Sequence, residues 1–138
     1  MTGLMWACFF GWKDVVQLLL NHSERIIELN PKDDLGVTAF MLACENGHKD
    51  VVQLLLDRSD RNIELNTRDR FGSTAFMRAC KKGNTDVVKL LLEYSEVIDI
   101  NITDETLQLS EEIKTLILKH SMAVQKQKLC FFLLLLCT

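Results

Sequence analysis

Cys44 and His48 stand four residues apart, the spacing at which one face of a helix presents a thiolate and an imidazole as paired metal ligands. Gly47 lies between them and breaks that face. A structural metal site also needs a third and a fourth ligand, and the pattern supplies neither. Cys8, Cys44 and Cys80 instead recur every 36 residues, and Gly11, Gly47 and Gly83 keep the same step. Stacked helices lie about 8–10 Å apart, beyond disulfide reach, so these thiols are expected to be small, buried packing groups. A catalytic base would not recur in phase, and Trp12 and Asn84 stand where His48 does in the other copies. Its expected role is a structural hydrogen bond near a turn. No glycine-rich phosphate loop, nucleophile elbow or paired acid and base stands outside the repeat. The reading is non-enzymatic, with no catalytic residue, no metal, no cofactor and no small-molecule substrate.

A chain of 138 residues, 48% hydrophobic and 25% charged, has the length of one domain and the composition of one that folds. Sixteen Lys and Arg against nineteen Asp and Glu give a net charge of -3, which leaves no basic field for a nucleic-acid backbone. One proline and six glycines are few for a turn-rich β architecture, so the class is expected to be all-α. The apolar start lacks a basic leader and a cleavage site before Lys13, and five cysteines are an odd number for a disulfide framework. An intracellular protein with reduced thiols, cytoplasmic or nuclear, is expected. The sequons at Asn21 and Asn101 are then chance matches.

The elements follow from the repeat. Lys13-Asp-Val-Val-Gln-Leu-Leu-Leu20 returns as Lys49-Asp-Val-Val-Gln-Leu-Leu-Leu56 and, with two changes, as Thr85-Asp-Val-Val-Lys-Leu-Leu-Leu92. Ile27-Glu-Leu-Asn30 matches Ile63-Glu-Leu-Asn66, and Ile98-Asp-Ile-Asn101 follows after one deleted residue. Thr38 is placed to cap a helix over 39–46 in which Phe40, Ala43 and Cys44 share a face, and Gly47 is placed to close it in the left-handed conformation. A second helix runs to about Arg58, with Asp50 in its acid-favouring first turn. Val51, Val52, Leu54, Leu55 and Leu56 make it apolar almost all round, so it must be covered, and stacked copies of the same unit supply the cover.

The unit Asp33-x-x-Gly36-x-Thr38-Ala-Phe-Met-x-Ala43-Cys-x-x-Gly47-His48-x-x-Val51-Val-x-Leu54-Leu-Leu resembles an ankyrin repeat, and Asp69, Gly72, Thr74 and Gly83 hold the register in the third copy. The resemblance covers about residues 2–104 and implies an all-α solenoid of stacked helix-turn-helix units with a concave face. Ala39 and Ala75 replace the family's proline, and Met41 and Met77 its histidine. The period of 36 exceeds the usual 33 or so, and the extra residues fall in the loop after the second helix, where Ile63 and Leu65 are expected to pin the chain to the core.

The array is read as residues 1–121, with copies at 1–34, 35–70 and 71–104, a degenerate cap at 105–121, and a C-terminal tail at 122–138. Copy one lacks the Asp-x-x-Gly turn, which leaves one side bare; the chain is then part of a longer array, or another chain covers it. Nine apolar residues at 129–137 span roughly 13 Å as helix against about 30 Å of bilayer hydrocarbon, too short to cross. The tail is expected to tuck against the cap or to hang free, with shallow membrane contact as the lesser reading.

The resemblance further implies a protein partner met by the turn tips and the exposed side of the first helices. Position by position this gives Trp6, Phe9 and Phe10 in copy one, and Asp34, Leu35, Val37, Leu42, Glu45 and Asn46 in copy two. Copy three adds Arg70, Phe71, Ser73, Arg78, Lys81 and Lys82. These positions vary while their neighbours repeat, and the gradient from aromatic to basic fits an acidic partner with an apolar anchor. The alternative is an internal or truncated piece of a larger ankyrin scaffold with a purely structural role.

Overall fold

In the computed structural model, which describes residues 1–22, 28–58, 62–102 and 108–137, the repeat becomes three helical hairpins and one long helix. The elements are α1 (Gly3–Phe10), α2 (Lys13–Asn21), α3 (Ala39–Glu45), α4 (Lys49–Asp57), α5 (Ala75–Lys82), α6 (Thr85–Glu93) and α7 (Glu111–Leu136). Between the described residues the only β feature is an isolated antiparallel bridge from Lys32 to Thr38. The parts of the sequons at Ser23 and Thr103, Ile27, and the boundary at 104/105 lie outside the described residues.

Every first helix starts the same way. Thr2, Thr38 and Thr74 sit in extended backbone and accept from the N–H of Met5, Met41 and Met77 at 3.3, 3.2 and 3.3 Å, which satisfies a donor the helix leaves open. Ser110 caps α7 alike through Ile113 N–H. The methionines that replace the family's histidine are fully buried, so this position has turned from polar linker to core filler. Gly11, Gly47 and Gly83 follow the first helices with φ near +73°, the left-handed turn that lets the second helix fold back.

Two rows of helices result. α1, α3 and α5 pack side by side, more closely than α2, α4 and α6 do on the outer side, and α7 extends the outer row against α6. The core runs unbroken through all of them, from Leu4, Met5 and Cys8 through Phe40, Val52 and Leu55 to Phe76, Val88, Leu91 and Ile113. Ile63 is buried and Leu65 packs against the core, so the long loop is pinned by alternate residues.

Polar links tie each unit to the next. Asn30 holds the following loop with both ends of its amide: its N–H donates to the Asn62 carbonyl at 2.7 Å and its oxygen accepts from Glu64 N–H at 2.7 Å. Asn66 does the same to Val97 (2.8 Å) and Asp99 (2.7 Å), one residue earlier in register because of the deletion. Each amide thus acts as a strand-like rung between loops that have no strand.

α7 departs from the expected division at residue 121. It runs as one helix from Glu111 to Leu136, through the boundary between cap and tail. Ile113 is buried and Leu116 and Ile117 pack on the core, whereas from Leu129 onward the apolar side chains are exposed. The tail neither folds back on the cap nor loses its helix, because nothing in residues 122–128 breaks the hydrogen-bond ladder: no glycine or proline stands there.

Candidate interaction surface

The aromatic residues of copy one form a single platform. Trp6 and Phe10 stack with ring centres 5.7 Å apart and planes 12° from parallel, and Phe10 and Trp12 stack at 5.1 Å and 20°. Phe9 meets Phe10 and Trp6 edge to face at 5.0 and 6.2 Å. These offset-stacked and edge-to-face geometries suit the ring quadrupoles. All four rings remain exposed, and Trp12, the most open, is 53% accessible.

What this platform faces can be read from the next two units, one period on. The counterparts of Trp6, Phe10 and Trp12 in copy three are Arg78, Lys82 and Asn84, and all three reach back to the preceding repeat. Arg78 and Lys82 pair with Glu45, and Asn84 donates to the carbonyls of Cys44 (2.9 Å) and Glu45 (2.6 Å). His48, the counterpart of Trp12 in copy two, contacts the Phe9 carbonyl at 2.8 Å through Nε2, which must carry the proton because a carbonyl only accepts. Positions that elsewhere grip a neighbouring repeat are thus filled in copy one by stacked aromatics. Val15 and Leu18, whose counterparts Val51 and Leu54 are buried or half-buried, lie exposed beside them on α2.

The sequence expectation had passed over Trp12, whose place in the other copies is polar. The signal was available: a large, mostly apolar tryptophan stands where its counterparts are His and Asn.

The turn tips form a second exposed feature. Asp33 Oδ1 accepts from the N–H groups of Leu35 and Val37, and Asp69 Oδ1 from those of Phe71 and Ser73, all at 2.8–2.9 Å. Each turn is thereby closed by its own carboxylate. Consecutive tips are joined by Arg70 N–H to the Leu35 carbonyl at 2.9 Å. This frame projects Leu35 and Phe71 outward, Phe71 to 74% exposure, with Asp34 and Arg70 beside them.

Other expected contact residues are placed differently. Val37 and Leu42 are buried in the core, so neither is open to a partner. Arg78 is no free cation. Its guanidinium donates to Asp69 Oδ2 and to Glu45 Oε2, so that one arginine joins its own turn to the repeat before it. The Asp69 side chain is fully buried. Burial pushes its carboxyl up, but the N–H of Ser73, the Arg78 guanidinium and the N–H of Phe71 outweigh that and hold it below the usual carboxylate range. Glu45 is half-buried and engaged with Arg78 and, at 3.8 Å, Lys82. The basic character expected of copy three therefore falls to Arg70 and Lys81, with Lys82 partly offset. Asn46 and Ser73 remain accessible at the rim.

Cys8, Cys44 and Cys80 are buried, free thiols. Burial raises Cys8 and Cys80 to about 12 and Cys44 well above its ordinary value, there with a smaller push from Cys8, so none is a thiolate near neutrality. Cys130 and Cys137 are exposed on α7. Between α6 and the far half of α7 lies an open groove of about 1040 Å³, lined on one wall by Leu92 and Glu96 and on the other by Val124, Phe131 and Leu135. No described helix is long and apolar enough to cross a membrane.

Comparison with known families agrees with this geometry. A profile of ankyrin repeats (3 copies) matches residues 1–69, and one of ankyrin repeats (many copies) matches residues 58–109. No curated protein sequence matches the chain. Among solved structures, it is similar to a chain of the Bd0816 predatory endopeptidase from Bdellovibrio bacteriovorus in complex with immunity protein Bd3460. The TM-score is 0.62 at 26% identity, over 74% of this chain and 49% of that one. This chain thus spans about half the length of the one it matches.

Proposed function

The chain belongs to the ankyrin-repeat family, and from that premise we propose that it is a non-enzymatic module that binds a protein partner through the rings of Trp6, Phe9, Phe10 and Trp12, assisted by the turn tips. Ankyrin repeats are in general protein-interaction modules, and the similar solved chain comes from a protein–protein complex. The observation that carries the reading is the exposed cluster of four rings, three stacked and Phe9 edge to face against two of them. Exposed aromatic clusters of this size are costly to hydrate, and rigid aromatics are the residues that most often anchor interfaces.

The partner supplies an apolar anchor for the platform, and acidic groups for Arg70, Lys81 and Lys82. Leu35, Phe71, Asp34, Asn46 and Ser73 form the rim. Arg78 and Glu45 act from within, by fixing copy two against copy three. Anchor burial contributes most of the affinity, and the rim charges set the association rate.

Binding kinetics to a partner captured by the intact chain test this. Trp6→Ala with Phe10→Ala speeds dissociation at least tenfold. Arg70→Glu with Lys81→Glu slows association and flattens its salt dependence. If neither double variant alters binding, recognition lies elsewhere on the array and the platform reading fails. If the chain melts without cooperativity and captures nothing, the purely structural reading of a scaffold piece takes its place.

A further inference from the structure

α7 has 26 residues and α6 has 9, so at about 1.5 Å per residue α7 outruns its neighbour by roughly 25 Å. The side of α7 that packs on the array continues past it. Ile113 is buried in the core, and by the 100° step of the helix Phe131, about five turns on, points the same way. Val124, Gln127, Lys128 and Leu135 lie within about 60° of that line and Phe132 on its flank; all of them, with Phe131, line the groove beside α6. Phe131, Phe132, Leu135 and the neighbouring Leu134 are each 58–66% exposed. Leu129 and Leu133 turn away from the groove, and Leu136 sits beside Phe132 on the flank. The array wall mixes Lys89 with Glu93 and Glu96, so charge selects no occupant there and apolar contact decides.

We propose that the α7 helix of a second copy of this chain fills the groove, antiparallel to the first and related to it by a two-fold axis between residues 129 and 130. Each copy brings the same exposed stretch, so a single self-complementary contact covers both. The array sets the orientation. It occupies this side of α7 from Ile113 to Ile117, and a parallel partner would bring a second array into the same space, with Lys126 and Lys128 beside their own counterparts. In the antiparallel register Val124 faces Leu135 of the other copy, Gln127 faces Phe132, and Lys128 faces Phe131. Each ring then lies on an unbranched stem, and the Lys128 ammonium stays at the rim, over a ring face. At about 200 Å² for an open phenylalanine and somewhat less for leucine, the four exposed side chains offer roughly 450 Å² per copy. The stems and groove walls bring the pair to about 1,200 Å², the low end of stable interfaces, so the dimer forms at micromolar concentration. Leu129 and Leu133 stay outside, as scattered surface leucines commonly do.

Sedimentation equilibrium of the full chain, from about 1 to 100 μM, tests the pairing. The mean mass is expected to rise with concentration toward twice the 15.8 kDa of one chain. Phe131→Glu with Leu135→Glu should weaken association by roughly tenfold or more, since each partner would have to bury a charge. Leu129→Glu with Leu133→Glu, on the opposite side, should change it by less than about threefold. Unchanged far-UV circular dichroism keeps loss of fold from imitating loss of pairing. The exposed Cys130 and Cys137 read the orientation, because the other three thiols are buried. In Cys137→Ser a short bis-maleimide should join Cys130 to its counterpart, which lies almost level with it across the axis. In Cys130→Ser it should leave Cys137 unlinked, its counterpart being roughly 20 Å away along the helix. A mass that stays at one chain, equal linking at both positions, or a dimer that Leu129→Glu with Leu133→Glu dissolves as readily overturns the proposal. Trp6→Ala with Phe10→Ala should leave the dimer intact; its loss there would move the second copy to the aromatic platform and equally overturn the groove assignment.

Discussion

Alanine at Gly11, Gly47 and Gly83 imposes the same backbone strain three times over and three different steric problems. All three glycines have φ near +73°, where a side chain costs about 1–2 kcal/mol; loss of glycine's freedom in the unfolded chain returns about 0.4–1 kcal/mol. A Cβ at Gly83 meets nothing within 4 Å. The net loss there is roughly 0.5–1 kcal/mol by those two figures. At Gly47 the new carbon comes within 3.1 Å of Asn84 Oδ1, in the amide that donates to Cys44 and Glu45, and a shift of a few tenths of an ångström strains both bonds. At Gly11 it presses into the Nδ1 side of the His48 ring, 2.7 Å from Cγ. The ring must swing away and give up its bond to the Phe9 carbonyl, which adds about 1 kcal/mol or more and brings the total to roughly 2–3 kcal/mol.

The order Gly11 over Gly47 over Gly83 is therefore fixed by what lies across the repeat boundary, not by propensity. Thermal melts read it directly, at roughly 3–5 °C per kcal/mol for a chain of this size. Both tryptophans of the chain lie in copy one, so fluorescence follows that unit while far-UV circular dichroism follows the whole array. Gly11→Ala should lower the fluorescence midpoint by about 6–15 °C on that scale, ahead of the dichroism signal, since repeats unravel from their ends. Adding His48→Ala to Gly11→Ala should recover the steric part, so that the pair costs less than the sum of the two single changes. Equal shifts for the three glycines, or the largest shift at Gly83, would refute the reasoning.

Arg78→Met should cost roughly 2–4 kcal/mol at neutral pH, because it strands the buried Asp69 carboxylate. Since Asp69 is held below its unfolded value, its contribution is present above about pH 4 and is lost as pH falls through the lower folded value; the gap between wild type and Arg78→Met in urea should narrow there. A thiol reagent at pH 8 should modify Cys130 and Cys137 quickly and Cys8, Cys44 and Cys80 only on unfolding; five fast thiols would contradict the packing. Asn66→Ala removes both loop-to-loop bonds and should cost about 1–2 kcal/mol, with faster proteolysis within residues 95–102 as the local readout.

Much of the architecture was legible because the repeat states it three times. A threonine, a glycine and a run of Val and Leu at fixed offsets leave one arrangement in which every apolar helix is covered, and the observed helices begin and end where those residues stand. The Cys44–His48 pair shows why spacing alone misleads. Gly47 turns the chain between the two residues, so His48 belongs to the start of α4 and reaches across to Phe9. Legibility fails where a side chain acts between units. Arg78 reads as a free surface charge in its own helix, and only the fold reveals that Asp69 of its own turn and Glu45 of the preceding repeat neutralise it. Leu42 reads as an open concave position when the family's contact positions are carried over, yet it is buried.

The same failure of single-unit reading explains why the platform of copy one carries the functional argument. In copies two and three the positions of Phe10 and Trp12 are Asn46, His48, Lys82 and Asn84, and His48 and Asn84 spend their polar groups on the carbonyls at the end of the preceding first helix. Phe10 has no polar group for such a bond and Trp12 has a single indole N–H, but each ring offers more apolar area than the residues at its place in the other copies. Copy one thus carries stacked aromatics at positions that make directional repeat-to-repeat bonds in copies two and three. The stacking of Trp6, Phe10 and Trp12 limits what would otherwise be lost, since three rings fixed on one another surrender little further side-chain entropy when a partner covers them. On the proposed reading, such a surface binds by shape and desolvation, and the turn-tip and rim groups decide which apolar surface is accepted.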